Sequence, residues 1–286
     1  MLTLDKVYHA RYVLKDAIRQ TDMIYSPVIS EESGCEVYLK TENLQVTGSF
    51  KVRGAYYKIS QLNDEEKSRG VIACSAGNHA QGVALASKKF GINSIICMPD
   101  GAPISKVEAT KSYGASVVLV PGVYDDAHNE AERLREEKGY TFIHPFDDED
   151  VIAGQGTIGL EIIDQLKNVD AIVVPIGGGG LASGVAFAIK SLNPKVKVYG
   201  VQSSGAPSML TSFEHHKIEC LPSVSTIADG IAVKEPGSLT FELCSKYLDG
   251  IVAVTDDQVS AAILALIEKQ KMIAEGAGAV GLAAIM

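Results

Sequence analysis

Ala171-Ile172-Val173-Val174-Pro175-Ile176-Gly177-Gly178-Gly179-Gly180-Leu181-Ala182-Ser183-Gly184-Val185-Ala186 is the stretch that decides the fold class of this 286-residue chain. Its first six residues read as a buried parallel strand and its last six as a helix. The four glycines between them form a strand-to-helix turn whose bare backbone N–H groups can converge on an anion. Such glycines also occur simply to make a tight bend, but four in a row leave space that something else is expected to fill. The expectation is a phosphate site.

The same punctuation occurs upstream. Val71-Ile72-Ala73 leads into Cys74-Ser75-Ala76-Gly77-Asn78-His79-Ala80-Gln81-Gly82. A strand again ends in small residues and a helix starts at Asn78, so Ser75 to Asn78 present a hydroxyl, an amide and free N–H groups to a carboxylate. Taken alone, Asn78 is equally an ordinary helix cap. Further strands are expected at Ser94–Met98, Ser116–Val120, Val196–Val201 and Gly250–Val254, with helices near Ser105–Tyr113 and from Asp125. This alternation implies parallel sheets in two α/β lobes, with ligands at the carboxyl ends of the strands.

The third segment is Thr47-Gly48-Ser49-Phe50-Lys51-Val52-Arg53-Gly54. A lysine on a helix is usually a solvated charge. Here Ser49 is expected to cap a helix running through Val52, Ala55, Tyr56 and Ile59, which places Lys51 in the first turn against the positive end of the helix dipole. That field, with partial desolvation, favours the neutral amine that a Schiff base needs. An amine at a helix start and a phosphate cradle after a strand are the two attachments of pyridoxal phosphate.

With Gly154-Gln155-Gly156-Thr157-Ile158-Gly159-Leu160-Glu161, Thr226-Ile227-Ala228-Asp229-Gly230 and Glu275-Gly276-Ala277-Gly278-Ala279, these segments resemble the fold type II pyridoxal-phosphate enzymes, and among them the threonine dehydratases, from about Tyr25 to the last residue. The resemblance implies a tryptophan synthase β-like fold of two three-layer α/β/α lobes with mainly parallel sheets. A large cofactor-binding domain would comprise residues 1–50 and 147–286, and a small domain residues 51–146. It further implies that Lys51 is the catalytic, cofactor-bearing lysine, that Phe50 packs on the pyridine ring, that Asn78 bonds the ring hydroxyl and that Gly177, Gly178, Gly179, Gly180 and Leu181 hold the phosphate. Gly230 and Glu275 would lie near the cofactor, and Ser75, Ala76, Gly77, Asn78 and His79 would take the substrate carboxylate. In this family the chain normally continues into a further strand with a serine on the pyridine nitrogen. Such a strand is missing here, which is expected to leave a sheet edge exposed.

The implied reaction is dehydration and deamination of L-threonine to 2-oxobutanoate and ammonia, with L-serine going to pyruvate. A racemase or β-replacement enzyme of the same fold, or a cofactor-binding but inactive fragment, are the alternatives. Ala76 argues against racemisation, because related serine racemases carry there a second serine that acts on the opposite face. Gln202 stands where a racemase-like divalent-metal site has a carboxylate, so no metal site is expected, although carbonyl oxygens could accept a monovalent cation.

Composition is compatible with this reading. The net charge of −9 argues against nucleic acid or an anionic membrane surface as partner. Five scattered cysteines without a Cys-x-x-Cys pair read as reduced thiols in a cytoplasmic protein, and Cys74 as a strand-end filler rather than a nucleophile. Dimers and tetramers are usual in the family. Gly154-Gln155-Gly156-Thr157-Ile158-Gly159 matches a dinucleotide fingerprint by letter, but Asp147–Ile152 before it is not a buried strand, so NAD is not implied. His215-His216 reads as a polar surface loop.

Overall fold

The computed structural model describes residues 1–286. The elements are α1 (Leu4–Leu14), β1 (Met23–Tyr25), α2 (Pro27–Ser33), β2 (Tyr38–Lys40), α3 (Lys51–Ser60), α4 (Asp64–Arg69), β3 (Val71–Cys74), α5 (Asn78–Phe90), β4 (Ser94–Pro99), α6 (Ile104–Ser112) and β5 (Ser116–Val120). They continue with α7 (Tyr124–Lys138), β6 (Thr141–Phe142), α8 (Glu149–Gln165), β7 (Ala171–Pro175), α9 (Gly180–Leu192), β8 (Lys197–Ser203), α10 (Ser208–His215), α11 (Ser238–Tyr247), β9 (Gly250–Val254), α12 (Asp256–Gln270) and α13 (Gly276–Ile285).

Two parallel sheets organise the chain. One has the order β5-β4-β3-β6 and the other β7-β8-β9, while β1 and β2 form a separate antiparallel pair. Parallel strands joined through helices have both faces covered, which is why all four residues of β3 are buried and read as an unbroken apolar run. Around them Ile59, Val83, Ala84, Ile96, Met98 and Ile143 build one core. Burying a side chain the size of Ile96 contributes about 1.5–3 kcal/mol. Ile158, Ile176, Val185, Ile189 and Val198 build a second core beneath β7 and β8. No helix is long and apolar enough to cross a membrane.

Helix starts follow local chemistry where a short polar side chain precedes them. Asp148 accepts from the N–H groups of Asp150 and Val151 to open α8, and Asn63 with Glu66 forms a reciprocal capping box at α4. The expected cap at α3 does not form. Phe50 occupies the cap position with helical angles (φ −63°, ψ −18°), and the Ser49 hydroxyl is buried without a partner. A cap needs an extended backbone for its oxygen to reach back to the helix N–H groups, and the chain enters α3 already coiled.

The glycine fingerprint Gly154-x-Gly156-x-x-Gly159 lies inside α8, where it serves helix contact. A Cβ on Gly154 would sit 2.6 Å from the Arg53 carbonyl oxygen and the Gly54 Cα, one on Gly156 would sit 3.0 Å from the Gly184 carbonyl oxygen of α9, and one on Gly159 would sit 3.0 Å from the Ala188 Cβ. α8 is thus a strut held tightly between α3 and α9. β7 forms one edge of its three-stranded sheet. His215 closes α10 instead of sitting in a loop, and pairs with Glu219 at 3.0 Å.

Candidate active site

A continuous cleft of about 2300 Å³ brings together the three segments singled out from sequence. Lys51 is the first residue of α3, and its Nζ donates to the Pro145 carbonyl oxygen at 2.8 Å. It lies 5.5 Å from the centroid of the Phe50 ring. Burial lowers the lysine pKa from 10.5 to about 8, because the charged form loses its water. The amine is therefore unusually ready to lose its proton near neutral pH.

In the same cleft, β7 delivers the chain into Gly177–Gly180 and α9 begins at Gly180. The N–H groups of Gly177, Gly178, Gly179, Gly180 and Leu181 donate to no acceptor in the protein. Five successive free donors at the start of a thirteen-residue helix form an anion cradle. The lack of side chains has a different cause from the one expected. A Cβ on Gly178 would run into the Phe146 ring, and one on Gly179 would sit 2.7 Å from Met209 and Thr240, so protein atoms fill the space. Gly179 also holds φ +102°, which only glycine adopts without strain.

Ser75, Ala76 and Gly77 form the turn between β3 and α5, and Asn78 and His79 open the helix. The Gly77 N–H is taken by the Ser75 hydroxyl at 3.2 Å, while those of Ala76, Asn78 and His79 have no protein acceptor. Asn78 is the first helical residue, not the cap, which leaves its side chain free to reach Glu275 at 2.6 Å. His79 turns inward. Its Nε2 bonds the Ile143 carbonyl oxygen at 2.8 Å, its Nδ1 is buried without a partner, and burial pushes its pKa down to about 3. The ring is neutral, so towards the cleft His79 offers only its backbone N–H. Gly230 stands in the short turn Asp229–Ile231 against Glu275, 3.2 Å from its Oε1 to a built Cβ.

Several residues here were not singled out from sequence. Lys106 of α6 pairs with Asp229 at 2.8 Å, and its Nζ lies 3.8 Å from a Cβ built on Gly77, so an ammonium stands beside the turn with the free N–H groups. Lys234 reaches Asp125 at 3.3 Å. Spacing along the chain carries no signal for such pairs, whose members are 123 and 109 residues apart. Cys74 is buried with Ile72, Cys97, Ala127 and Ala131, and burial pushes its thiol up to about 12, in keeping with a packing role. The Gln202 amide spends both ends on the protein, donating to the Ile176 carbonyl oxygen at 3.3 Å and accepting from the Leu210 N–H at 2.8 Å.

The site fits pyridoxal phosphate: a desolvated amine, a row of unpartnered N–H donors, an aromatic ring and a side-chain amide line one cleft. Residues 14–286 match the model of the pyridoxal-phosphate dependent enzyme family. The chain is 54% identical over 286 residues to an L-threonine ammonia-lyase of Thermotoga maritima, covering all of this chain and 71% of that protein. It is 47% identical over 285 residues to the catabolic L-threonine dehydratase TdcB of Escherichia coli, covering all of this chain and 87% of that protein. The structure of maize serine racemase superimposes with a TM-score of 0.97 at 37% identity, over 99% of this chain and 86% of the other. By sequence, fold and site together, the chain belongs to the pyridoxal-phosphate dependent enzymes of fold type II.

Proposed function

We propose that the chain catalyses the dehydration and deamination of L-threonine to 2-oxobutanoate and ammonia, and of L-serine to pyruvate and ammonia. The observation that carries this reading is the Lys51 amine, its pKa lowered to about 8, lining one cleft with the free N–H groups of Gly177 to Leu181. The 54% identity to an L-threonine ammonia-lyase supports L-threonine as the substrate.

Gly177, Gly178, Gly179, Gly180 and Leu181 would hold the cofactor phosphate, Asn78 its ring hydroxyl, and Phe50, Gly230 and Glu275 would flank the ring. When bound, pyridoxal phosphate supplies a conjugated ring that stabilises the electron pair left at the substrate Cα. The N–H groups of Ala76, Asn78 and His79, with the Ser75 hydroxyl, fix the substrate carboxylate and so choose the Cα bond that breaks, a positioning effect. The Lys51 amine would take the Cα proton. The Cβ hydroxyl would leave as water with the proton balanced by the one Lys51 takes from Cα, and a second water would replace nitrogen at Cα, so the net products are the 2-oxo acid and ammonia.

Racemisation is the second reading, favoured by the fold shared with maize serine racemase. Ala76 opposes it, because a methyl group offers no proton on the face opposite Lys51. The dehydratase reading divides the chain into a large domain of residues 1–50 and 147–286 and a small domain of residues 51–146, and takes it as a cytoplasmic homodimer or homotetramer; a monovalent cation held by carbonyl oxygens belongs to it as well. The test is release of 2-oxobutanoate from L-threonine by the purified protein with added pyridoxal phosphate. Turnover that vanishes in Lys51→Ala supports the reading, and no turnover in the parent sinks it.

A further inference from the structure

Arg53 carries a charge that no solvent reaches. Its Nε and Nη2 donate to the two oxygens of Glu42 at 2.9 and 2.8 Å, and its Nη1 and Nη2 to the two oxygens of Glu161 at 2.6 and 3.0 Å. Nη1 also reaches the Thr157 hydroxyl at 3.1 Å. Lys40 completes the cluster, donating to Glu161 at 2.6 Å and to the Thr21 carbonyl oxygen at 2.6 Å. Two carboxylates and two cations alternate, so the buried charges cancel.

Stability is a poor reason for such a cluster. Desolvation offsets most of the Coulomb attraction in a buried ion pair, and well-packed apolar replacements are often as stable or more so. A guanidinium gripped on both sides by bidentate carboxylates does, however, allow only one position. That position matters because α3 lacks the usual device for fixing its first turn: Phe50 provides no cap and Ser49 does not reach. Two residues along a helix turn the side-chain direction by roughly 200°. Arg53 therefore anchors the first turn on the helix face roughly opposite Lys51, and it is Lys51, not Arg53, that lines the cleft. The anchor on Glu161 belongs to α8, the helix whose Gly156 packs against Gly184 of α9, directly after the glycine turn.

We propose that Arg53 is a positioning residue: clamped by Glu42 and Glu161, it fixes the uncapped first turn of α3 and so sets the Lys51 amine at its working distance from the Gly177–Gly180 turn. This rests on the reading of Lys51 as the cofactor lysine. In Arg53→Lys the charge stays, but one ammonium cannot grip two carboxylates with four hydrogen bonds.

The test separates occupancy from attachment. Pyridoxine 5′-phosphate, which has no aldehyde, reports binding at the glycine turn. Pyridoxal phosphate followed by borohydride reduction and peptide mass mapping reports the rate of covalent attachment to Lys51. In Arg53→Lys, pyridoxine 5′-phosphate affinity is expected to stay as in the parent, while the attachment rate falls about tenfold or more. Attachment at the parental rate in the folded variant overturns the proposal, as does an equal loss of both readouts. Should Arg53→Lys fail to fold by circular dichroism, Glu42→Gln, which keeps shape and one acceptor, takes its place with the same expectation. If both variants are unfolded, the cluster is a stability element and the proposal falls. Failure of the parent protein to label at Lys51 at all would instead sink the functional reading.

Discussion

Asn78 Nδ2 donates to Glu275 Oε1 at 2.6 Å, joining the first turn of α5 to the residue that precedes α13, 197 positions later. The pair ties α5, which follows β3 of one parallel sheet, to the start of α13, and both residues line the cleft. Asn78 is the residue expected to bond the cofactor ring hydroxyl, so its amide is already fixed in orientation by a carboxylate.

Asn78→Ala is expected to raise the dissociation constant for pyridoxal phosphate by about tenfold, the worth of one good hydrogen bond to a charged oxygen. Because the pair is solvent-exposed, melting of the cofactor-free protein should shift little. Absorbance titration and thermal denaturation give the two numbers, and a large loss of stability would show Asn78 to be structural instead.

Lys51 dictates a pH dependence. With its pKa lowered from 10.5 to about 8, the amine should react half-maximally with an acylating reagent near pH 8, far below an ordinary lysine. For stability, the unfolded chain binds more protons than the folded one between pH 8 and 10.5, so the folded state gains stability as pH rises through that window. Lys51→Met removes this penalty. Its melting temperature in the absence of cofactor should exceed the parent's at pH 7, and the difference should shrink towards pH 10.

Ala76→Ser places a hydroxyl on the turn after β3, which lines the cleft with Lys51. Racemisation of L-serine, followed by chiral chromatography, should become measurable or rise several-fold over the parent, while elimination from L-threonine persists. A parent protein that racemises serine as fast as it deaminates it would contradict the role given to Ala76.

Gly154→Ala forces a methyl group to within 2.6 Å of the Arg53 carbonyl oxygen and the Gly54 Cα. Backbone cannot yield as a side-chain tip does, so overpacking should cost about 1–3 kcal/mol in urea denaturation. Cofactor attachment should weaken as well, because α3 shifts with its strut.

Lys106 stands beside the turn that would take the substrate carboxylate and is paired with Asp229 at 2.8 Å. Lys106→Ala is expected to raise KM for L-threonine about fivefold with kcat little changed, the pattern of a lost ground-state contact at an exposed charge. A fall in kcat at constant KM would place Lys106 in the chemistry itself.

Much of this could be read from local sequence. Ser75 to His79 and Gly177 to Gly180 lie where apolar runs end in small residues, and in such segments the strand, the turn and the helix start are fixed by neighbours along the chain. The short pairings of β1 with β2 and of β3 with β6 were not legible, since two- and three-residue strands carry too little pattern and form only where a partner edge is already present. Ser49 misled for a related reason: residue type favours a cap, but the backbone entering α3 is helical at Phe50.

The sequence by itself determined the alternation of elements, the lysine at the start of α3 and the glycine turn before α9, because these depend on periodicity and on residues within one turn of each other. Tertiary structure alone decided that Arg53 is buried between Glu42 and Glu161, 11 and 108 residues away, that Asn78 meets Glu275, and that the glycines of α8 face Gly54 and Gly184. Charge pairing and helix contact act through space, and nothing in the spacing of these residues along the chain records which of them will meet.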